Sequence, residues 1–142
     1  MSEHAAYELK LSGSGLADLM QSVLDQGASF RFRARGFSMN PFIRDKDVLT
    51  VSKILKNETE IGDVVAVINP ATGTLIVHRI IKKSDQGVVI KGDNCSKSDG
   101  RFAHEAIVGI VKTVERNGLI VWFGKGSAKR IIAVLSRTAI LN

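Results

Sequence analysis

Ser38 lies between Gly36-Phe37 and Met39-Asn40-Pro41, at the end of a run in which Phe30, Phe32 and Ala34 alternate with Arg31, Arg33 and Arg35. A turn of that kind can hold a hydroxyl at a fixed, partly exposed place, which is where the nucleophile of an acyl transfer belongs. The same stretch also fits an ordinary turn serine bonded to nearby backbone. The first reading carries a requirement, because a serine hydroxyl is a poor nucleophile at neutral pH unless a base takes its proton as the new bond forms. Imidazole, with an unperturbed pKa of about 6.5, suits that task. His78 is a candidate, in the run Val77-His78-Arg79-Ile80-Ile81. Alternate residues Ile76 and Ile80 share its strand face, so a buried core histidine is the competing reading. His104 is the rival base, in the loop Arg101-Phe102-Ala103-His104-Glu105.

Further stretches narrow the choice. In chain order they are Ser38-Met39-Asn40-Pro41, Asp47-Val48-Leu49-Thr50-Val51, Gly62-Asp63-Val64-Val65, His78-Arg79, and Lys91-Gly92-Asp93-Asn94 continuing to Asp99. This succession resembles the type I signal peptidases and the related LexA-type self-cleaving repressors, from about Phe30 to about Val114. Most bacterial members have lysine immediately before the arginine of the fourth stretch. Histidine there resembles the endoplasmic-reticulum type of signal peptidase, found also in archaea and some bacteria. The resemblance implies Ser38 as nucleophile, His78 as general base and Asp99 as the carboxylate that orients the imidazole, with Asp93 structural. It also implies an oxyanion site made of backbone amides, those of Ser38 and Gly36, since Gly36 stands where some members carry an assisting hydroxyl. The implied substrate is an extended peptide or preprotein cut after small residues such as Ala. Lys46 departs from the pattern, which usually has glycine before Asp47, and is expected to alter a turn and leave the chemistry alone. Cys95 takes the place of a second Asn.

Composition sets the bounds around that site. At 142 residues with 44% hydrophobic content, the chain is expected to form a single domain over 1–142 with a buried core. The start, Met1 to Gly15, is polar and carries Glu3, Glu8 and Lys10, and no apolar run approaches the ~20 residues that cross a bilayer. A soluble, cytoplasmic chain lacking the usual amino-terminal anchor is the expectation. One cysteine excludes an internal disulfide and fits a reducing compartment. The net charge of +6 is spread along the chain without a helix-turn-helix or interleaved aromatics, so no nucleic-acid partner is expected. His4, His78, His104 and Cys95 lack zinc-ligand spacing, and neither metal nor cofactor is expected.

The elements that must position the site are read from periodicity. Residues 1–13 read as a mobile lead-in. Leu16, Leu19, Met20, Val23 and Leu24 fall on one face of a short helix that Gly27 ends. Phe30 to Ala34 reads as a half-buried strand delivering the chain to Ser38, its arginines forming either a solvated face or the border of a cleft. Val48–Val51 reads as a strand. Val64–Ile68, Thr74–Lys82 and Val88–Lys91 form a meander broken at Asn69–Gly73 and Ser84–Gly87, and Val108–Val114 pairs with Leu119–Phe123 across Asn117-Gly118. The fold class is mainly β: a LexA/signal-peptidase-like, partly closed antiparallel barrel with a short N-terminal helix and a C-terminal amphipathic helix over 127–138.

On that last helix Ala128, Ile131, Ile132 and Leu135 share a face, and residues 125–142 carry Lys125, Lys129, Arg130 and Arg137 and no acid. It either closes the domain or meets an anionic membrane surface, which would make the chain membrane-peripheral. Three functions follow: a signal-peptidase-type serine endopeptidase, a non-catalytic peptide-binding or scaffold protein of the same fold, and a self-cleaving LexA-type regulator. Against the last, 29 residues before the first strand are too few for a DNA-binding domain, and no Ala-Gly or Cys-Gly bond occurs.

Overall fold

The apolar stripe Leu16-Met20-Leu24 lies along one face of α1 (Gly13–Asp25) and is buried there against the sheet. The structure, a computed structural model, describes residues 13–54 and 58–141. The expected mobile lead-in lies, but for Gly13, outside the described residues. Gly27 (φ 83°) ends α1 in the left-handed region, and its N–H returns to the Leu24 carbonyl at 2.9 Å.

Eight strands follow: β1 (Phe30–Arg33), β2 (Val48–Ser52), β3 (Val64–Ile68), β4 (Leu75–Ser84), β5 (Gly87–Lys91), β6 (Gly100–Phe102), β7 (Ile107–Arg116) and β8 (Leu119–Val121). They pair antiparallel in the order β1-β2-β7-β3-β4-β5-β6, with β8 also on β7. The expected meander is β3-β4-β5. The expected hairpin is β7-β8, whose Asn117 and Gly118 both have positive φ (54° and 81°), as a two-residue turn of matching twist requires. The sheet does not close into a barrel: among the described residues β1 and β6 each pair with one neighbour. Register shifts at Thr50/Val51, Ala66/Val67 and Ile80/Lys82 bend it instead.

That bending lets one sheet serve two cores. β3 is buried on both faces, with Val64 and Ala66 turned into the core shared with α1, β1, β2 and Met39, and Val65 and Val67 into the core of β4, β5 and Phe102. A continuous apolar run is what a strand enclosed on both sides needs. After β8 the chain leaves the sheet, burying Phe123 in the first core, and a short 3₁₀ turn leads into α2 (Lys129–Leu141), the expected terminal helix shifted two residues onward at its start.

β6 was not foreseen. It has three residues and begins with Gly100, so no periodicity marks it; its pairing with β5 is what makes it a strand.

Candidate active site

Between β1 and β2 the chain makes a compact turn that presents Ser38. Gly36 (φ 87°) takes a conformation that disfavours side chains, and its N–H donates to the Asp45 carboxylate at 2.8 Å. Met39 and Ile43, both buried, anchor the turn in the first core, and the Phe42 and Ile43 amides both return to the Met39 carbonyl at 3.0 Å. From the other side the loop after β5 clasps it. The Asn94 N–H donates to the Ser38 carbonyl at 2.7 Å and the Asn94 amide group to the Phe37 carbonyl at 3.1 Å. The serine backbone is thus fixed from two directions, which leaves its side chain a small range of positions.

His78 lies on β4, 40 residues on, and its Nε2 is 3.0 Å from Ser38 Oγ. Its Nδ1 is hydrogen-bonded to Asp99. Asp99 is held by the pairing of β6 with β5, its own N–H donating to the Ile90 carbonyl at 2.9 Å. With Nδ1–H donating to the carboxylate, Nε2 is the bare nitrogen facing the hydroxyl, which is the tautomer that can accept the serine proton. The three side chains line one cleft of about 460 Å³, otherwise walled largely by apolar groups including Phe32, Met39, Leu75 and Val77. Of the β1-side arginines, Arg31 pairs with Glu115 at 3.0 Å and Arg33 reaches the Lys46 carbonyl, whereas Arg35 borders the cleft.

Beside His78, Arg79 is fully buried and forms a two-pronged pair with Asp93, Nε at 2.9 Å and one terminal nitrogen at 2.8 Å. Gly92, between the strand and this loop, leaves no room for a side chain: a Cβ there would lie 2.6 Å from the Ser38 carbonyl oxygen and 3.0 Å from His78 Nε2. Sequence reasoning gave neither Gly92 nor Asn94 a role, although both stand inside the Lys91-Gly92-Asp93-Asn94 stretch it singled out.

The oxyanion expectation needs one correction. The Gly36 N–H is occupied by Asp45, so it is not free for a developing oxyanion. The Ser38 N–H makes no hydrogen bond among the described residues and remains open. His104 donates from Nε2 to the carbonyl of Ser84, 2.9 Å away at the end of β4, and does not line the cleft. His4 lies outside the described residues. The Cys95 thiol is 3.9 Å from the Ser38 carbonyl oxygen.

Two further aspartates brace the strands that carry these groups. Asp47 and Asp63 each accept the amide three residues back, of Arg44 and Glu60 respectively, at 2.8 Å, and each meets a cation: Arg116 at 2.8 Å and Lys129 at 2.6 Å. The hydrogen bond to Asp47 raises the Arg116 pKa above its ordinary value. Burial pushes the Lys129 ammonium down, but the hydrogen bond and charge of Asp63, with Glu60, outweigh it and leave its pKa raised.

The family model described as Peptidase S24-like matches residues 5–114, a stretch that includes Ser38, His78 and Asp99 and stops before β8 and α2. No curated protein matches the sequence.

Proposed function

The chain belongs to the Peptidase S24-like family, and on that footing we propose that it is an active serine endopeptidase of signal-peptidase type, with Ser38 as nucleophile, His78 as base and Asp99 orienting the imidazole. The observation that carries this reading is the unbroken series of contacts from Ser38 Oγ to His78 Nε2, at 3.0 Å, and from His78 Nδ1 to Asp99. Histidine at 78 is the feature that resembles the endoplasmic-reticulum type of signal peptidase.

An extended peptide lies along the edge of β4 over Leu75–His78, where β3 pairs on one side and, among the described residues, no strand pairs on the other. Main-chain hydrogen bonds along such an edge supply affinity, and pockets for alternate side chains supply selectivity. The apolar cleft suits small residues before the cut. Ser38 Oγ attacks the scissile carbonyl carbon as its proton passes to His78 Nε2, and the resulting imidazolium is stabilised by Asp99. The Ser38 N–H faces the oxygen that gains charge. As the tetrahedral intermediate collapses, the C–N bond breaks and the imidazolium returns the proton to the leaving amine. Water then attacks the acyl-serine ester with His78 again as base, releasing the acid and restoring the hydroxyl.

A peptide library rich in small residues, read by mass spectrometry, tests this. Cleavage should fall by about 10⁴-fold or more in Ser38→Ala and in His78→Ala. Cleavage that survives Ser38→Ala refutes the assignment, and tight peptide binding without turnover in the unaltered chain favours the non-catalytic reading instead.

A further inference from the structure

On α2 the large apolar residues Ile131, Val134 and Leu135 are 64%, 45% and 66% exposed. Spaced i, i+3 and i+4, they form one outward stripe. The opposite face holds buried Ala133, Lys129 on Asp63, and Ser136, whose hydroxyl accepts from the Lys91 ammonium at 2.9 Å. Those polar contacts fix the rotation of the helix, so the stripe is turned away from the body of the chain.

Arg130 and Arg137, seven residues apart, run along one border of the stripe on either side of Val134. Arg130 is exposed, and its carboxylate partner among the described residues is Glu60 at a loose 3.6 Å. Next to that border, Arg137 shares a depression of about 480 Å³ with Lys82 of β4 and Arg101 of β6, and among the described residues no carboxylate lines it. An apolar ridge beside a row of cations is a two-part surface, and its occupant must supply both an apolar layer and negative charge.

We propose that this face of α2 docks on an anionic phospholipid surface, with Ile131, Val134 and Leu135 entering the acyl boundary and Arg130, Arg137, Lys82 and Arg101 meeting headgroup phosphates. Charge selects this occupant. A second copy would bring the same arginines against one another, and like charges facing across a contact oppose it. Helices of this kind lie in the interface plane, with a strength set by apolar area and attraction to anionic lipid. No described helix is long and apolar enough to cross a membrane, so docking here is from one side. α2 also lies beyond residues 5–114, outside the family match.

The test uses the full chain, sedimented at low salt with vesicles of phosphatidylglycerol in phosphatidylcholine and with phosphatidylcholine alone. The chain should pellet with the first, weakly with the second, and less with the first as salt rises. Ile131→Ser/Leu135→Ser should weaken binding about tenfold or more, and Arg130→Gln about fivefold. These positions are exposed, and circular dichroism checks that the variants keep their fold. Failure to pellet with the anionic vesicles overturns the proposal, as does undiminished binding by the apolar double variant. A dimer in sedimentation velocity that the same double variant dissolves would assign the face to a second copy instead.

Discussion

His78 and Arg79 are consecutive on β4, and the pleat sends them to opposite sides. Each meets an aspartate from the same loop, His78 with Asp99 and Arg79 with Asp93, but the two pairs are built differently. The side chains of Arg79 and Asp93 are 1% and 3% exposed, those of His78 and Asp99 12% and 26%. All the donor capacity of the guanidinium is used: Nε and one terminal nitrogen on Asp93, and the remaining N–H groups on the carbonyls of Gly62, Phe123 and Gly124 at 2.9 to 3.0 Å. His78 commits one nitrogen to Asp99 and keeps the other against a hydroxyl. A permanently charged group that only holds the structure can be sealed and saturated. A group proposed to move a proton needs one face answerable to the substrate. Both acids come from the loop between β5 and β6, which the sealed pair anchors at Asp93 and the Asp99 N–H to Ile90 anchors at its far end.

The largest expected effect is on chemistry alone. Asp99→Asn should keep the fold and lose about 10⁴-fold in kcat, since an amide can present its N–H to the imidazole and favour the wrong tautomer. A melting temperature equal to the parent's, measured beside the peptide assay, would separate this from unfolding. Asp93→Asn should do the reverse in kind, lowering stability before it alters turnover in the protein that remains folded. Equal stability losses in the two variants would erase the distinction between the pairs.

Next comes Arg79→Met, which leaves Asp93 buried without its partner and strips three carbonyls of their donor. Removing one member of a buried pair costs about 3–5 kcal/mol, read as a shift of the urea midpoint at unchanged slope. If the variant does not fold, Arg79→Met/Asp93→Leu gives the second reading: with both charges gone it should recover part of the loss. A double variant no better than the single would mean that the carbonyls, not the ion pair, are what Arg79 secures.

Gly92→Ala probes the seam between the pairs. Its added methyl meets the Ser38 carbonyl oxygen at 2.6 Å, Cys95 Sγ at 2.7 Å and His78 Nε2 at 3.0 Å. Backbone on one side and the imidazole on the other must give way, and displacement of a reacting group by about 1 Å costs about 10²-fold. The loss should appear in kcat with KM little changed. A fall confined to stability would show that the loop moves while Ser38 and His78 keep their contact.

How far the sequence discloses this arrangement depends on whether the cause is local. The hairpin at Asn117-Gly118 and the strand Val64–Ile68 are local patterns, and both appear as read. Ser38, His78 and Asp99 were each marked by motif, but they meet because β4 lies between β3 and β5, a consequence of strand order that no spacing of 40 and 21 residues conveys. The fate of the Gly36 amide depended on Asp45 folding back upon it. On α2, the predicted stripe of Ala128, Ile131, Ile132 and Leu135 had the right period, yet Ile131 and Leu135 face outward. Two polar contacts, Lys129 with Asp63 and Ser136 with Lys91, set the rotation. The hydrophobic pattern counts apolar faces and does not register such bonds.

The smallest expected effect separates stability from chemistry in the other direction. Lys46 has φ 73°, left-handed, where a side chain costs about 1–2 kcal/mol relative to an ordinary conformation. Its backbone is fully used, the N–H donating to the Ala34 carbonyl at 2.8 Å and its own carbonyl accepting from Arg33 at 3.3 Å. Glycine would keep both bonds and remove the strain, at the cost of a more flexible unfolded chain, about 0.4–1 kcal/mol. Lys46→Gly should therefore raise stability by about 0.5–1 kcal/mol, seen as a melting temperature higher by a few degrees, with peptide turnover unchanged. Turnover is the sharper measurement, because Asp45, one residue earlier, holds the Gly36 amide at the entrance to the serine turn. A change in kcat would mean that strain at Lys46 is transmitted through Asp45 to Ser38, so that the serine is set from the β1–β2 turn as well as from the Arg79–Asp93 side.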